Sequence, residues 1–344
     1  MTAAGVRAGL GHPGTIVVRN LLVVVGLTTF VGLSWQIGLE PIIAHLQPLG
    51  WRVVLVFLPY LLVFVCDTVG WRYAFERRPP VPFIRLLAIH VIGKAANLIT
   101  PLVPVGGEPI KAYLLQAAGI PFTEGLASAV IARTVATIAH GLFVLAMTGF
   151  TVVHLGLPMP LLHAIAAAFM IGVVLVGTFL FAQTRGLFAG VLGVVHRLTR
   201  GLAALQEGAR DLDRRLARHY RQRRGRFALA MTCHLLGWLV EGVEVYVLLR
   251  LLHLPQSPAV ALGVVALSSA VRAASFMVPG SLGIQEGGNV FIFGSFGLPP
   301  DAAMAFSLLR RIREWGWAAA GLLLVRRLSP EQRLSLAAAR AGGR

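Results

Sequence analysis

Charge is scarce in this sequence. Only 13% of its residues are Asp, Glu, Lys or Arg, about half the share of an ordinary soluble domain. Cysteine is almost missing: Cys66 and Cys233 are the only two. Both fall inside apolar runs, where a thiol behaves as a small hydrophobe. A disulfide framework and a cysteine-based metal site are therefore excluded. No G-x-x-x-x-G-K-[ST], G-x-S-x-G or HExxH occurs. Walker-type nucleotide hydrolysis, serine hydrolysis and zincin chemistry have no motif to rest on. His90, His140 and His234 stand apart, with no carboxylate at metal-ligand spacing. They read as packed core histidines, and neither a metal nor a cofactor is expected.

Apolar residues are abundant, at 56% of the 344, and the mean hydropathy is +0.76. They gather into blocks at 16–38, 51–71, 125–150, 160–182, 227–250 and 302–325. A helix needs about 20 residues to cross the hydrocarbon core. The expected fold is an all-α polytopic membrane protein, with residues 1–344 forming one transmembrane domain. The first block lacks a small-x-small cleavage site after it and reads as a retained helix.

The net charge is +17, from 31 Lys+Arg against 14 Asp+Glu. These bases lie between the apolar blocks, and no nucleic-acid recognition motif accompanies them. Eleven arginines run from Arg185 through Arg226, whereas 152–159 and 251–258 hold no Lys or Arg. By the positive-inside rule, both termini and the basic 185–226 loop face the cytoplasm of an inner-membrane protein. That loop reads as a solvated or interfacial helix that anchors the topology.

The chain also repeats itself. PLVPVGGEPIKAYLLQAAGIP in the first half answers PGSLGIQEGGNVFIFGSFGLP in the second. At a constant offset of 178, Lys94 aligns with Arg272, Pro101 with Pro279 and Glu108 with Glu286. Gly119 likewise aligns with Gly297, Pro121 with Pro299 and Arg133 with Arg311. Each unit reads as helix, Pro/Gly break, glutamate, short helix, Gly-x-Pro turn and a full span carrying arginine. The breaks hold Pro101, Pro104, Gly106 and Gly107 in one copy, and Pro279, Gly280 and Gly283 in the other. The short helices cannot cross the bilayer at 1.5 Å per residue, so each unit is expected to form a re-entrant hairpin. Span parity puts the first hairpin on the inside and the second on the outside. The expectation is about six full spans plus two re-entrant hairpins as an inverted repeat, with repeat A at about 83–150 and repeat B at about 259–326. Irregular backbone cannot face lipid, so the breaks should meet around a wet central cavity.

Candidate cavity residues follow from that geometry. Glu108 and Glu286 begin short helices, where the dipole favours an anion. Each either handles substrate or protons, or merely caps its helix or pairs with arginine. Arg133, Arg310 and Arg311 offer forks matched to phosphate, or else partners for interior acids. Lys94 and Arg272 precede the breaks and either snorkel to the interface or touch substrate. Asn97 and Ser275 are placed to satisfy backbone freed at the tips. Glu241 and Glu244 share one face of a span, and Asp67 lies in another. Buried carboxylates of this kind mark a wet cavity or an ion-paired interior.

The run from Asn97 through Pro101, Gly106, Gly107 and Glu108 to Arg133, with VPGSLGIQEGG and the pair Arg310–Arg311, resembles the flippase-like membrane region of lysylphosphatidylglycerol synthases and their stand-alone relatives. VRAASFMVPGSLGIQEGG and FGLPPDAAMAFSLLRRIRE are most similar to hopanoid-biosynthesis-associated members. The resemblance implies translocation of a lipid or lipid-linked headgroup, and not aminoacyl transfer, which belongs to a separate soluble domain in the bifunctional relatives. The alternatives are the membrane part of a lipid-modifying transferase, or a lipid-binding assembly protein. Expected partners are a membrane lipid with an anionic headgroup, and a second copy or a lipid-biosynthesis protein.

Overall fold

The computed structural model describes residues 13–99, 107–155, 210–215, 222–275 and 278–326, with single positions at 170, 174, 178 and 218. The expected span at 160–182 and most of the 185–226 loop lie outside the described residues. So do Pro101, Pro104 and Gly106 of the first break. No strand occurs among the described residues. That suits a lipid solvent, because a helix satisfies its own backbone groups.

The described helices are labelled in order. They begin with α1 (Pro13–Ile37), α2 (Leu39–Leu46) and α3 (Phe57–Ala74). The first broken unit comprises α4 (Phe83–Ile99), α5 (Gly107–Gln116) and α6 (Phe122–Leu155). Next come α7 (Arg224–Leu251) and the second unit, α8 (Pro258–Ala274), α9 (Ile284–Ser295) and α10 (Pro300–Arg326). The stretch before α3, expected as a plain connection and early span, is instead α2 and a 3-10 segment, Gln47–Val56, bent at Gly50. Leu39–Ala74, Phe122–Thr151 and Arg224–Leu251 are each long and apolar enough to cross a membrane. α10 has the length, 27 residues, but carries Arg310, Arg311, Arg313 and Glu314 at its middle. Its charges are matched inside the protein.

The second break is visible in full apart from Phe276 and Met277. Val278 is extended, Pro279–Ser281 form one 3-10 turn, and Gly280 and Gly283 take left-handed φ of 64° and 75°. α5 and α9 have 10 and 12 residues, or about 15 and 18 Å at 1.5 Å per residue, well short of the roughly 30 Å of hydrocarbon.

In both units the short helix ends in the same turn, built twice. Gly119 N–H donates to Gln116 O at 3.0 Å and Ile120 N–H to Leu115 O at 3.1 Å. At the same offset, Gly297 N–H donates to Gly294 O at 3.0 Å and Leu298 N–H to Phe293 O at 2.9 Å. Gly119 and Gly297 sit at φ 83° and 69°, the left-handed cap that glycine takes without Cβ strain. Pro121 and Pro299 follow, and their carbonyls accept from Gly125 and Ala303.

The units are exchanged across the molecule. α4 and α5 pack together and α5 packs on α6; α8, α9 and α10 do the same. In addition α10 packs on α4 and α6 on α8, while α3 lies along α7. Gly321 makes the α10–α4 approach close: a Cβ there would lie 2.6 Å from Ala95 Cβ and 3.1 Å from Val91 O. Two apolar clusters result. One joins Trp71 of α3 to Leu86, Ile92, Leu115 and Ile131 of the first unit. The other joins Leu248 of α7 to Val264, Phe293, Phe306 and Leu309 of the second.

Candidate functional site

Six helices, α3, α4, α6, α7, α8 and α10, converge on a cavity of about 500 Å³. Its charged lining is mixed: Lys94, Arg133, Arg272, Arg310 and Arg313 against Asp67, Glu241 and Glu314. Bringing eight such groups to apolar helices is costly unless they pair or meet water. Most of them pair.

On the second-unit side, the pairing is dense. Arg310 of α10 bonds Glu241 of α7, and Arg313 bonds Glu244 one turn along the same two helices. This spacing is helical: acids at i and i+3 on α7 meet bases at i and i+3 on α10. Arg313 also lies 3.5 Å from Glu314 and stacks over the Tyr60 ring at 3.8 Å. Arg272 Nη1 is 2.5 Å from Glu314 Oε1. Glu286 lies deeper, at 1% exposure. Its Oε2 accepts from Gly283 N–H at 2.7 Å, and its Oε1 accepts from Arg311 Nε at 2.9 Å. Arg311 Nη1 in turn donates to Gly280 O at 2.6 Å. Glu286 therefore both caps α9 and pairs with arginine, and the pair holds the bent backbone of the second break.

The first-unit side is different. Glu108 is buried at 1% exposure, and its Oε2 has no hydrogen-bond partner among the described residues. The repeat register would give it Arg133, as Glu286 has Arg311, yet no such ion pair forms. Arg133 is exposed toward the cavity and has no carboxylate partner among the described residues. Lys111, one turn beyond Glu108, is buried with its ammonium 5.1 Å from the Trp71 ring centre. Asn97 Oδ1 accepts from Gly107 N–H at 2.7 Å, so it stitches the end of α4 to the start of α5. Ser275 behaves otherwise: its hydroxyl bonds back to Arg272 O within its own helix end. Serine is too short to reach across as asparagine does.

Lys94 and Arg272 line the cavity and pair with Asp67 and Glu314. The histidines are less isolated than their sequence positions suggest. His234 Nδ1 lies 2.8 Å from Asp67 Oδ1, while Lys94 Nζ and His90 Nε2 lie 3.3 and 3.8 Å from Oδ2. His140 bonds Ser269 at 2.9 Å and stacks on Trp238. Sequence reasoning missed the grouping around Asp67, and no local spacing could have shown it, since His234 is 167 residues away. One signal was available. Moving α3 by the repeat offset of 178 lands it on 235–252, within one residue of the end of α7, so the helices bearing Asp67 and His234 occupy matching places. No group of three or more His, Cys, Asp or Glu able to hold a metal occurs among the described residues.

The arrangement can hold a polar or anionic group among cations while apolar surface stays outside. Fold and site together define a multi-pass helical membrane protein with a charged cavity among its helices. The family model described as the lysylphosphatidylglycerol synthase TM region matches residues 17–321, and the chain belongs to that family. It is also similar to a UPF0104 membrane protein of Methanothermobacter thermautotrophicus, with 25% identity over 283 residues, covering 76% of this chain and 79% of that one. No solved structure matches the chain. Membership implies a lipid-related role in the membrane.

Proposed function

We propose that the chain translocates a phosphate-bearing lipid, its headgroup passing through the central cavity while its acyl chains stay in the bilayer. The observation that carries this reading is Arg133. Four of the five cations lining the cavity have a carboxylate within ion-pair distance, and Arg133 has none among the described residues. A guanidinium is permanently charged and matches a phosphate in two hydrogen bonds. Left without an internal counterion near hydrocarbon, it is costly; an anionic headgroup removes that cost. A cavity of about 500 Å³ is in the range of small-molecule sites and suits a headgroup.

The two units supply the means of exposing that site to either leaflet. In this reading they are inverted hairpins whose breaks lie at the cavity, and rocking of one against the other gives alternating access. Reciprocal packing of α10 on α4 and α6 on α8 supports the exchange of roles. The charge pattern favours a reading with the arginine-rich segments, and both termini, on the cytoplasmic side of an inner membrane. Hopanoid lipids enter as a substrate candidate through the resemblance alone.

The test is a reconstituted assay with dithionite-accessible phosphatidylglycerol. Hydrogen bonds to a charged group contribute about 1.5–3 kcal/mol, and 1.4 kcal/mol is a factor of ten. Arg133→Ala is expected to slow translocation about tenfold or more, with Arg133→Lys intermediate. Equal rates for wild type and Arg133→Ala would remove the headgroup assignment. A covalently altered lipid product would point to a transferase instead.

A further inference from the structure

Asp67 differs from the other two carboxylates bordering the cavity. Glu241 and Glu314 are held by arginine, which does not release its proton. Asp67 instead faces one ammonium and two imidazoles, at 3.3 Å from Lys94, 2.8 Å from His234 and 3.8 Å from His90. Imidazole is the side chain whose charge changes nearest neutral pH. With Asp67 ionised, the Nδ1 of His234 carries the hydrogen of their bond and Nε2 keeps a free lone pair. That Nε2, and both ring nitrogens of His90, have no hydrogen-bond partner among the described residues. His90 and His234 are 4% and 3% exposed. Asp67, Lys94 and His234 also border the cavity, which gives a proton a wet route to the group.

The surroundings set when a proton is welcome. From α3, Cys66 neighbours Asp67 and Tyr60 faces Lys94; from α4 come His90 and Lys94. α5 contributes Lys111 facing His90, and α6 contributes Arg133 facing Lys94, with His140 further along. α7 carries His234, Cys233 and Glu241; Arg272 of α8 and Arg313 and Glu314 of α10 close the far side. Asp67 and Lys94 cancel, so one added proton leaves the group positive. Lys111 and Lys94 face His90 and oppose that proton while the cavity is empty; Glu108 stands beside Lys111, and Arg133 faces both lysines. An anion seated at Arg133 offsets them. Linkage is reciprocal, so an anion that favours the proton is itself favoured by it.

We propose that Asp67, His234 and His90 form a proton-binding site that loads one proton as an anionic headgroup enters the cavity, so that lipid and proton move together. The inference rests on the headgroup reading above and goes beyond it, because a passive lipid carrier needs no such site.

The experiment counts protons. Detergent-purified full-length protein is titrated calorimetrically with dihexanoylphosphatidylglycerol near neutral pH, in two buffers of different ionisation enthalpy. The wild type is expected to take up about one proton per bound lipid. His234→Gln is expected to bind more weakly and to lose most of that uptake, with His90→Gln losing part of it. Binding without proton uptake by the wild type overturns the inference and leaves the headgroup reading standing. Uptake unchanged in both variants overturns the assignment to these histidines. Absence of any binding overturns the headgroup reading, and the coupling with it. The wild-type count decides the main question even where a variant fails to fold.

Discussion

Arg313 shows what a charge inside this protein requires. It is 1% exposed and its partner Glu244 is fully buried, with the Tyr60 ring against the guanidinium. Neither charge could stay there alone, because removing one partner of a buried pair costs about 3–5 kcal/mol, whereas replacing both by apolar groups is often close to neutral. Arg313→Ala is therefore expected to lower the thermal unfolding midpoint of the purified protein sharply, and Arg313→Met with Glu244→Leu to recover most of the loss. A single variant as stable as wild type would show that the pair contributes little. The same reasoning separates Arg311 from Arg133. Arg311 holds the Gly280 carbonyl and Glu286, so its removal should damage the fold, while removal of Arg133 should damage transport alone. Sequence could name these arginines but not divide them, since the two occupy identical repeat positions and differ only in what stands opposite.

The elements most clearly written in the sequence are the turns that close each unit. Gly-x-Pro at Gly119–Pro121 and Gly297–Pro299 predicts a helix stop, and the structure realises it with the same hydrogen bonds in both places. The left-handed conformation there costs a residue with a Cβ about 1–2 kcal/mol. Gly119→Ala and Gly297→Ala should each destabilise by that amount in thermal unfolding. Gly141→Ala, within α6 where a Cβ meets nothing, should be neutral or slightly stabilising. The ends of the apolar helices were also legible, because Pro, Gly and arginine punctuate them. The 3-10 segment Gln47–Val56 was not, for its apolar residues look like the start of a span. Just past the C-terminal end of α3, Glu76 draws in Arg215 and Arg218, and its carbonyl accepts from Arg223. The basic segment thus has a specific seat on the helix bundle, which charge counting alone does not convey.

At the scale of the molecule, an all-helical membrane fold was readable from hydropathy, and the paired Gly-x-Pro turns from one constant offset. The electrostatic asymmetry between its halves was not. Repeat B is tied to α7 by arginine–carboxylate pairs; among the described residues, repeat A carries Arg133 without a carboxylate partner and a Glu108 oxygen without a hydrogen-bond partner, and its His90 and Lys94 face Asp67 of α3. Such differences arise from residues at non-equivalent positions on α3 and α7, which a search for matching residues passes over. The central claim is that these halves oppose each other across the bilayer. It is tested most directly by side-specific thiol labelling, with Cys66 and Cys233 replaced by alanine and single cysteines placed at the matching turn positions Ala117 and Ser295. An impermeant maleimide is expected to label Ala117→Cys only from the cytoplasmic side of sealed vesicles and Ser295→Cys only from the opposite side. Labelling of both from one side would contradict the account.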